Sequence, residues 1–216
     1  MQPIRAVLFD FGGVFTASPF HIFVEAAAEL GAAPDRVLDH VFGPYDRDTD
    51  HPWHRLERGE IGLGDARNAI MARAAADGLE FDPLQILARL AGGEGVRKDV
   101  VASVEATRRA GCKTALVTNN VVEFRASWEA SLPVGDLFDV VVDSSEVGVR
   151  KPDPMIFHLA LEQLGVEAGH AVFLDDYPGN IQAAEGVGVR GILVEPDPGP
   201  ALASLAALLP DPAATR

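Results

Sequence analysis

The stretch that decides the fold reads AVLFDFGGV and covers residues 6–14. Its four leading apolar residues, Ala6 to Phe9, predict a short strand that is covered on both faces, as strands of parallel sheets are. Asp10 follows directly, so a carboxylate is expected at the carboxyl end of this strand.

Similar short apolar runs alternate with helical stretches from residue 97 onward, which is typical of βα units in a parallel sheet. Asp82-Pro83 and Asp153-Pro154 each offer an acidic N-cap with proline at the first helical position. The predicted fold is therefore α/β, with a doubly wound, Rossmann-like parallel sheet as its core. The further predicted strands cover residues 114–117, 140–142, 171–174 and 191–194.

Residues 17–94 break this alternation, because their apolar spacing is helical and no convincing strand appears. The sequence thus predicts an all-helical domain, residues 17–94, inserted after the first strand into a core domain of residues 1–16 and 95–216. The predicted helices of the insertion cover residues 20–30, 36–41, 63–76 and 83–90.

Composition narrows the class of protein. The 216 residues carry 18 basic and 32 acidic side chains, a formal charge of −14, which works against non-specific binding to nucleic acid or anionic membranes. No apolar run reaches membrane-spanning length, and the first residues do not resemble a signal peptide. The single cysteine, Cys112, is expected to be a buried small hydrophobe. We therefore predict a cytoplasmic protein.

Polar residues stand at the ends of four predicted strands. In doubly wound sheets, ligands bind outside the carboxyl ends of the strands, so these side chains are expected at one rim. Singly, each has an ordinary explanation as a cap, a turn residue or a solvated charge, but their joint occurrence favours a functional site. The residues are Asp10, Thr118 with Asn119 and Asn120, Lys151 after Arg150, and Asp175 with Asp176.

Adjacent carboxylates repel, so Asp175 and Asp176 are costly beside Asp10 unless a cation lies among them. Ligands that offer only oxygen favour Mg²⁺, which takes one or two protein carboxylates and keeps several waters. The sequence therefore predicts a Mg²⁺ site at this rim.

The sequence contains four motifs, which read VLFDFGGV at 7–14, ALVTN at 115–119, KPDP at 151–154 and FLDD at 173–176 with Asn180. In this order they resemble the motifs of the haloacid dehalogenase superfamily of hydrolases. The helical insertion is similar to the cap domain of that superfamily. Two segments, WHRLERGE at residues 53–60 and DDYPGN at residues 175–180, look most like the branch that contains soluble epoxide hydrolase phosphatase domains and small sugar phosphatases.

The resemblance implies a small phosphorylated substrate and an aspartyl-phosphate on Asp10, the nucleophile. It implies that Thr118, Asn119, Lys151 and Gly13 bind the phosphoryl group, Thr118 and Lys151 as part of the catalytic set. It also implies that Mg²⁺ is held by Asp10, the Gly12 carbonyl and Asp176, with Asp175 in support.

One position departs from the family pattern. Family phosphatases usually carry an aspartate two residues after the nucleophile as general acid, but this chain has Gly12 there. Such proton transfer contributes about 10²–10⁴ in rate. Either the leaving group is acidic, as in sugar 1-phosphates, acyl phosphates or aryl phosphates, or another residue supplies the proton. The candidate donors are Thr16, His21, Asp48, His51 and His54, although a satisfied surface or core imidazole is the commoner role for each histidine.

Two other functions stay open. A metal-independent dehalogenase also uses an aspartate nucleophile, but the pair Asp175 and Asp176 favours phosphate chemistry. A non-catalytic phospholigand-binding module would explain Gly12, although the retained nucleophile and lysine speak against a decayed site. Both a monomer and a homodimer are compatible with the sequence.

Overall fold

The computed structural model describes residues 2–92 and 95–210, which include one sheet of five parallel strands in the order β3-β2-β1-β4-β5. This sheet confirms the predicted α/β class, and each strand lies within one residue of its predicted bounds. The strands are β1 (Ala6–Phe9), β2 (Lys113–Thr118), β3 (Val140–Asp143), β4 (Ala171–Asp175) and β5 (Arg190–Leu193).

The central strand, β1, fixes where the polar strand ends meet. Phe9 is aligned with Leu116 of β2 on one side and with Leu174 of β4 on the other. All four residues of β1 are fully buried, as a strand covered on both faces must be. Asp10, the residue that follows β1, donates its backbone N–H to the carbonyl of Leu174 at 2.9 Å. The ends of β1 and β4 are thereby held side by side.

Five helices and a short 3-10 helix, Ala88–Gly92, follow β1 within the described part of the chain. Four of these helices match predicted segments, but α3 was missed because six residues are too few to show apolar periodicity. Its start signal was present: His51 precedes Pro52, and His51 Nδ1 accepts the Trp53 N–H at 3.2 Å. The helices are α1 (Pro19–Glu29), α2 (Pro34–Phe42), α3 (Pro52–Glu57), α4 (Leu63–Ala76) and α5 (Pro83–Leu87).

These helices enclose a hydrophobic cluster of their own, around Phe23, Phe42, Leu56 and Ile70. The interpretation of residues 17–94 as a cap domain stays a prediction, and residues 1, 93, 94 and 211–216 of the predicted domains lie outside the described residues. We use the name cap for α1 to α5.

The remaining helices cover the sheet on both faces. One face packs Phe9 and Leu116 against a cluster that includes Val104, and the other packs Leu8 and Val117 against one that includes Phe157. Cys112 is buried, as predicted. The helices are α6 (Lys98–Arg109), α7 (Arg125–Ser131), α8 (Val134–Leu137), α9 (Ser144–Val147), α10 (Pro154–Leu164), α11 (Pro178–Gly186) and α12 (Gly199–Ala206).

The cap is attached to the core through Glu57, the last residue of α3. Its buried carboxylate accepts from Arg150 Nε at 2.6 Å, from the Tyr45 hydroxyl at 2.9 Å and from Trp53 Nε1 at 2.8 Å. Its backbone carbonyl accepts from Ser144 Oγ of α9 at 2.6 Å. Glu57 therefore joins two cap aromatic residues to two polar residues of the core.

We expect Glu57→Gln to lower the free energy of unfolding by about 3 kcal/mol, because it removes the charge that pairs with the buried Arg150 guanidinium. Glu60→Gln is the matched control: the Glu60 side chain is 44% exposed and pairs with Arg55 and Arg58 at the surface, so its loss should cost less than about 1 kcal/mol. Denaturant unfolding measures both. Equal losses would show that the buried pair does not hold the cap.

Candidate active site

Three carboxylates meet at the carboxyl ends of β1 and β4. Asp10, Asp175 and Asp176 each place an oxygen within 4.8 Å of the others. The buried Lys151 Nζ lies 2.7 Å from Asp10 Oδ1 and 2.7 Å from Asp175 Oδ2. The structure thus brings four of the predicted site residues together, while the catalytic role of each stays a prediction.

Asp175 is the most firmly held of these carboxylates. It accepts the Tyr177 backbone N–H at 2.7 Å and the Asn180 side-chain amide at 3.1 and 3.0 Å, in addition to the Lys151 ammonium. Three donor groups, which make four contacts with this carboxylate, fix its position. Asp175 therefore orients Lys151 and the start of α11.

The electrostatics of the site call for a further cation. Burial raises the pKa of Asp10 to about 8 in spite of Lys151, and the charges of Asp175 and Asp176 add to the rise. Burial and the charge of Asp175 raise the pKa of Asp176 to about 7. Burial alone would lower the pKa of Lys151, but Asp10 and Asp175 raise it, so this lysine is charged. One ammonium cannot neutralise three carboxylates, and their hard oxygen donors suit a divalent ion such as Mg²⁺.

Gly12 and Gly13, which follow Asp10 and Phe11, differ in backbone conformation and in the space available for a side chain. Gly13 has φ +73°, and a Cβ there would lie 2.1 Å from Asp176 Cγ and 2.7 Å from Asp176 Cβ. Gly12 does not share this backbone conformation, and its Cβ would meet only Pro19 Cδ, at an ordinary 3.7 Å. Gly13 therefore lets Asp176 approach the strand end, whereas the space beside Gly12 is open.

Thr118 is the last residue of β2, and Asn119 follows it. Among the described residues, the Thr118 hydroxyl makes one long contact, 3.5 Å, to the Asn119 carbonyl. The Asn119 side chain is already used: it accepts from Lys151 N at 2.7 Å and donates to Lys151 O at 3.0 Å and to the Tyr45 hydroxyl at 3.1 Å. Asn119 thus holds Lys151 in place and connects it to the cap.

A cavity of about 200 Å³ lies between Asp10 and the cap. Of the predicted proton donors, Thr16 lines this cavity, whereas His21 lines a neighbouring one that includes Gly13 and Asp176. The other candidates, Asp48, His51 and His54, do not line it. Asp48 pairs instead with Arg58.

His51 and His54 have structural roles in the cap. His54 is fully buried, and its Nδ1 accepts the Thr49 N–H at 3.0 Å. Burial lowers the pKa of His54 to about 3, and it lowers the pKa of His51, the N-cap residue of α3, to about 4. Both imidazoles are therefore neutral near pH 7 and poorly placed to supply a proton.

The sequence analysis missed Tyr45 and Glu57, which line the cavity and link the cap to Asn119. One signal was available. Trp53 and Glu57 are four residues apart, one helical turn, which places a hydrogen-bond donor and an acceptor on the same face. Nothing in the sequence paired Glu57 with Arg150.

Comparison with known proteins finds similarity to hydrolases. Residues 4–188 match the family model described as haloacid dehalogenase-like hydrolase. Mouse acyl-CoA dehydrogenase family member 10 is 32% identical over 209 residues, and mouse bifunctional epoxide hydrolase 2 is 25% identical over 204 residues. These alignments cover 95% and 88% of this chain but only 19% and 36% of the relatives, so the chain corresponds to one part of each.

Other similar proteins have about the size of this chain. A phosphoglycolate phosphatase from Colwellia psychrerythraea is 26% identical over 204 residues, which cover 89% of this chain and 84% of that protein. A HAD family enzyme from Bacteroides thetaiotaomicron, solved with magnesium and inorganic phosphate, superposes with a TM-score of 0.59 at 20% identity. That superposition covers 90% of this chain and 96% of the other and shows a shared fold.

In residues 2–92 and 95–210, every helix is too short or too polar to cross a membrane.

We expect Gly13→Ala to lower the free energy of unfolding by about 3 kcal/mol, since the methyl group needs a left-handed backbone and collides with Asp176. Gly12→Ala, one residue away, should change it by less than about 1 kcal/mol. Denaturant unfolding without added metal compares the two variants. A similar loss for both would refute the close approach of Asp176 to position 13.

Proposed function

Because the chain belongs to the haloacid dehalogenase-like hydrolases, a family of enzymes, we propose that it is a Mg²⁺-dependent phosphatase that cleaves a small phosphomonoester. The observation that carries this proposal is the cluster of Asp10, Asp175 and Asp176 around the single ammonium of Lys151. A metal-independent dehalogenase has no use for three acidic groups in one place. The phosphatase among the relatives and the neighbour that binds magnesium and phosphate support the same choice.

The metal would be held by Asp10, Asp176 and the Gly12 carbonyl, with Asp175 behind them. The oxygen-only donors and the shortage of positive charge fit Mg²⁺. When bound, Mg²⁺ supplies the charge that lets carboxylates and a phosphate dianion share one site.

Asp10 is the proposed nucleophile. A carboxylate oxygen attacks phosphorus while the bond from phosphorus to the ester oxygen breaks, which leaves an aspartyl-phosphate and the released alcohol. Water then attacks the same phosphorus, and the bond from phosphorus to the Asp10 oxygen breaks. The Asp10 carboxylate is restored and inorganic phosphate leaves, with the protons of the water divided between this phosphate and the solvent. Thr118 and Lys151 bind the phosphoryl oxygens through both steps, and Asn119 keeps Lys151 in position.

The proton needed by the departing oxygen is the weak point of the site. Gly12 replaces the usual acid, and Thr16 is the one predicted donor that lines the cavity. A hydroxyl is a poor acid near pH 7. We therefore propose that the enzyme favours leaving groups that depart with little protonation, a property that sugar 1-phosphates and aryl phosphates share.

With Mg²⁺, the protein should hydrolyse p-nitrophenyl phosphate, whose aryl leaving group needs little protonation. Asp10→Asn should lower kcat by at least about a thousandfold, and EDTA should have a comparable effect. Asp65→Asn makes the same chemical change at an exposed position of α4 and should retain full activity.

A folded protein that binds Mg²⁺ but turns over no phosphate ester would instead indicate a phospholigand-binding module. Thermal shift on addition of Mg²⁺ separates that outcome from loss of the metal site. Activity that survives both EDTA and Asp10→Asn would refute the proposed mechanism.

Gly12→Asp should raise kcat for an alkyl phosphate by about tenfold or more, because it adds the missing acid where the structure leaves room for a side chain. The gain for p-nitrophenyl phosphate should be smaller. Gly12→Asn is the matched control, since it has the same size but cannot donate a proton from a carboxyl group. An equal gain for both variants, or no gain for either, would exclude protonation as the limiting factor.

A further inference from the structure

The wall of the cavity above Asp10 is apolar and aromatic. Cap and core contribute to it together, and the exposed edge of Phe124 stands at its rim. Apart from the strand-end residues, the wall is dominated by Phe11, Pro19, Phe20, Phe42, Tyr45, Trp53, Leu87, Leu90, Val121, Phe124, Trp128 and Tyr177.

Most polar groups of this wall are paired with other protein groups. The Tyr45 hydroxyl and Trp53 Nε1 both donate to Glu57, and the Asn119 amide is taken up by Lys151 and Tyr45. The Asn180 side-chain nitrogen donates to Asp175, while Asn180 Oδ1 and Trp128 Nε1 are the buried wall atoms that have no hydrogen-bond partner among the described residues. Each substrate hydroxyl that enters would lose its hydrogen bonds to water and find few partners in the wall. The affinity would fall about tenfold for each such hydroxyl.

The wall also has no place for a second negative charge. Among the described residues that line the cavity there is no lysine, arginine or histidine, while Asp10, Asp176 and Glu57 are acidic. The nearby Arg150 guanidinium lies 4.4 Å from the centre of the Tyr45 ring and is itself fully buried and bound to Glu57. A substrate with a carboxylate or a second phosphate would therefore be repelled without compensation.

Size sets a further limit. An apolar cavity of about 150 Å³ is known to hold benzene, and this cavity has about 200 Å³. One ring or a short alkyl chain fits within it.

We infer that the substrate is a phosphate monoester of an uncharged, apolar alcohol or phenol with one ring or a short chain. This inference rests on the proposed function and selects within it: aryl phosphates satisfy both the missing acid and the apolar wall. Sugar 1-phosphates satisfy only the first.

The direct test compares cyclohexylmethyl phosphate with glucose 6-phosphate. Both are ring-bearing esters of a primary alcohol with the same charge, and they differ mainly in the hydroxyl groups and oxygen of the ring. Calorimetry with Asp10→Asn and Mg²⁺ gives Kd without turnover, and the wild type gives kcat/KM. We expect about a hundredfold or greater preference for cyclohexylmethyl phosphate.

Equal or tighter binding of glucose 6-phosphate, or no binding of cyclohexylmethyl phosphate, would overturn the inference. Hydrolysis of p-nitrophenyl phosphate, measured in parallel, tests the proposed function by itself. Preference for the apolar ester without any turnover would keep the ligand class and exclude the phosphatase. Turnover with preference for glucose 6-phosphate would do the reverse.

Two neighbouring positions test whether the wall makes the selection. Phe124 and Val122 belong to one short 3-10 helix, Val122–Phe124. Phe124 lines the cavity and is 37% exposed, whereas Val122 is 56% exposed and does not line it. Phe124→Ser should lower kcat/KM for cyclohexylmethyl phosphate by about threefold to tenfold and leave the value for glucose 6-phosphate unchanged. Val122→Ser should alter neither by more than about twofold. Equal losses for both esters in Phe124→Ser would contradict selection by the wall.

Discussion

Repulsion among three carboxylates, of which Asp10 and Asp175 are buried and Asp176 is partly buried, is the constraint on which the site depends. Asp10, Asp175 and Asp176 are brought within 4.8 Å of one another at the edge of the sheet, where burial makes their charges costly. The aligned ends of β1 and β4 impose this proximity, and the left-handed Gly13 permits it. The site is thus built around a deficit of positive charge that Lys151 only partly makes good, and a divalent cation is the group that fits it.

The cap supplies the opposite chemical character. Its aromatic side chains form a roof over the charged strand ends, and the polar atoms of that roof are used up in contacts with Glu57 and Asn119. In the proposed function, the charged floor would bind phosphate and metal, and the apolar roof would receive the alcohol. Because Glu57 also binds Arg150, the roof is held in register with the lysine that serves the floor.

The sequence was sufficient for the sheet and for the residues at its edge. Short apolar runs identify strands covered on both faces, and parallel strands bring their carboxyl ends together, so Asp10, Lys151 and Asp175 could be placed side by side before any coordinates. The contacts between cap and core could not be predicted in this way. Whether Glu57 meets Arg150, or whether His54 is buried or faces the cavity, depends on tertiary packing rather than on periodicity. The side chain of Asn119 shows the same limit, since it holds the Lys151 backbone instead of facing the cavity as a free amide.

The place of β1 at the centre of the sheet has a consequence for how the protein is made. Residues 6–9 are synthesised before both of their partner strands, which are residues 113–118 and 171–175. At 5–20 residues per second, roughly 10 to 30 s of translation separate Asp10 from Asp175. The nascent chain therefore carries Asp10 without Asp175 and Asp176 during this time, and the cluster of three carboxylates is complete only when β4 docks beside β1.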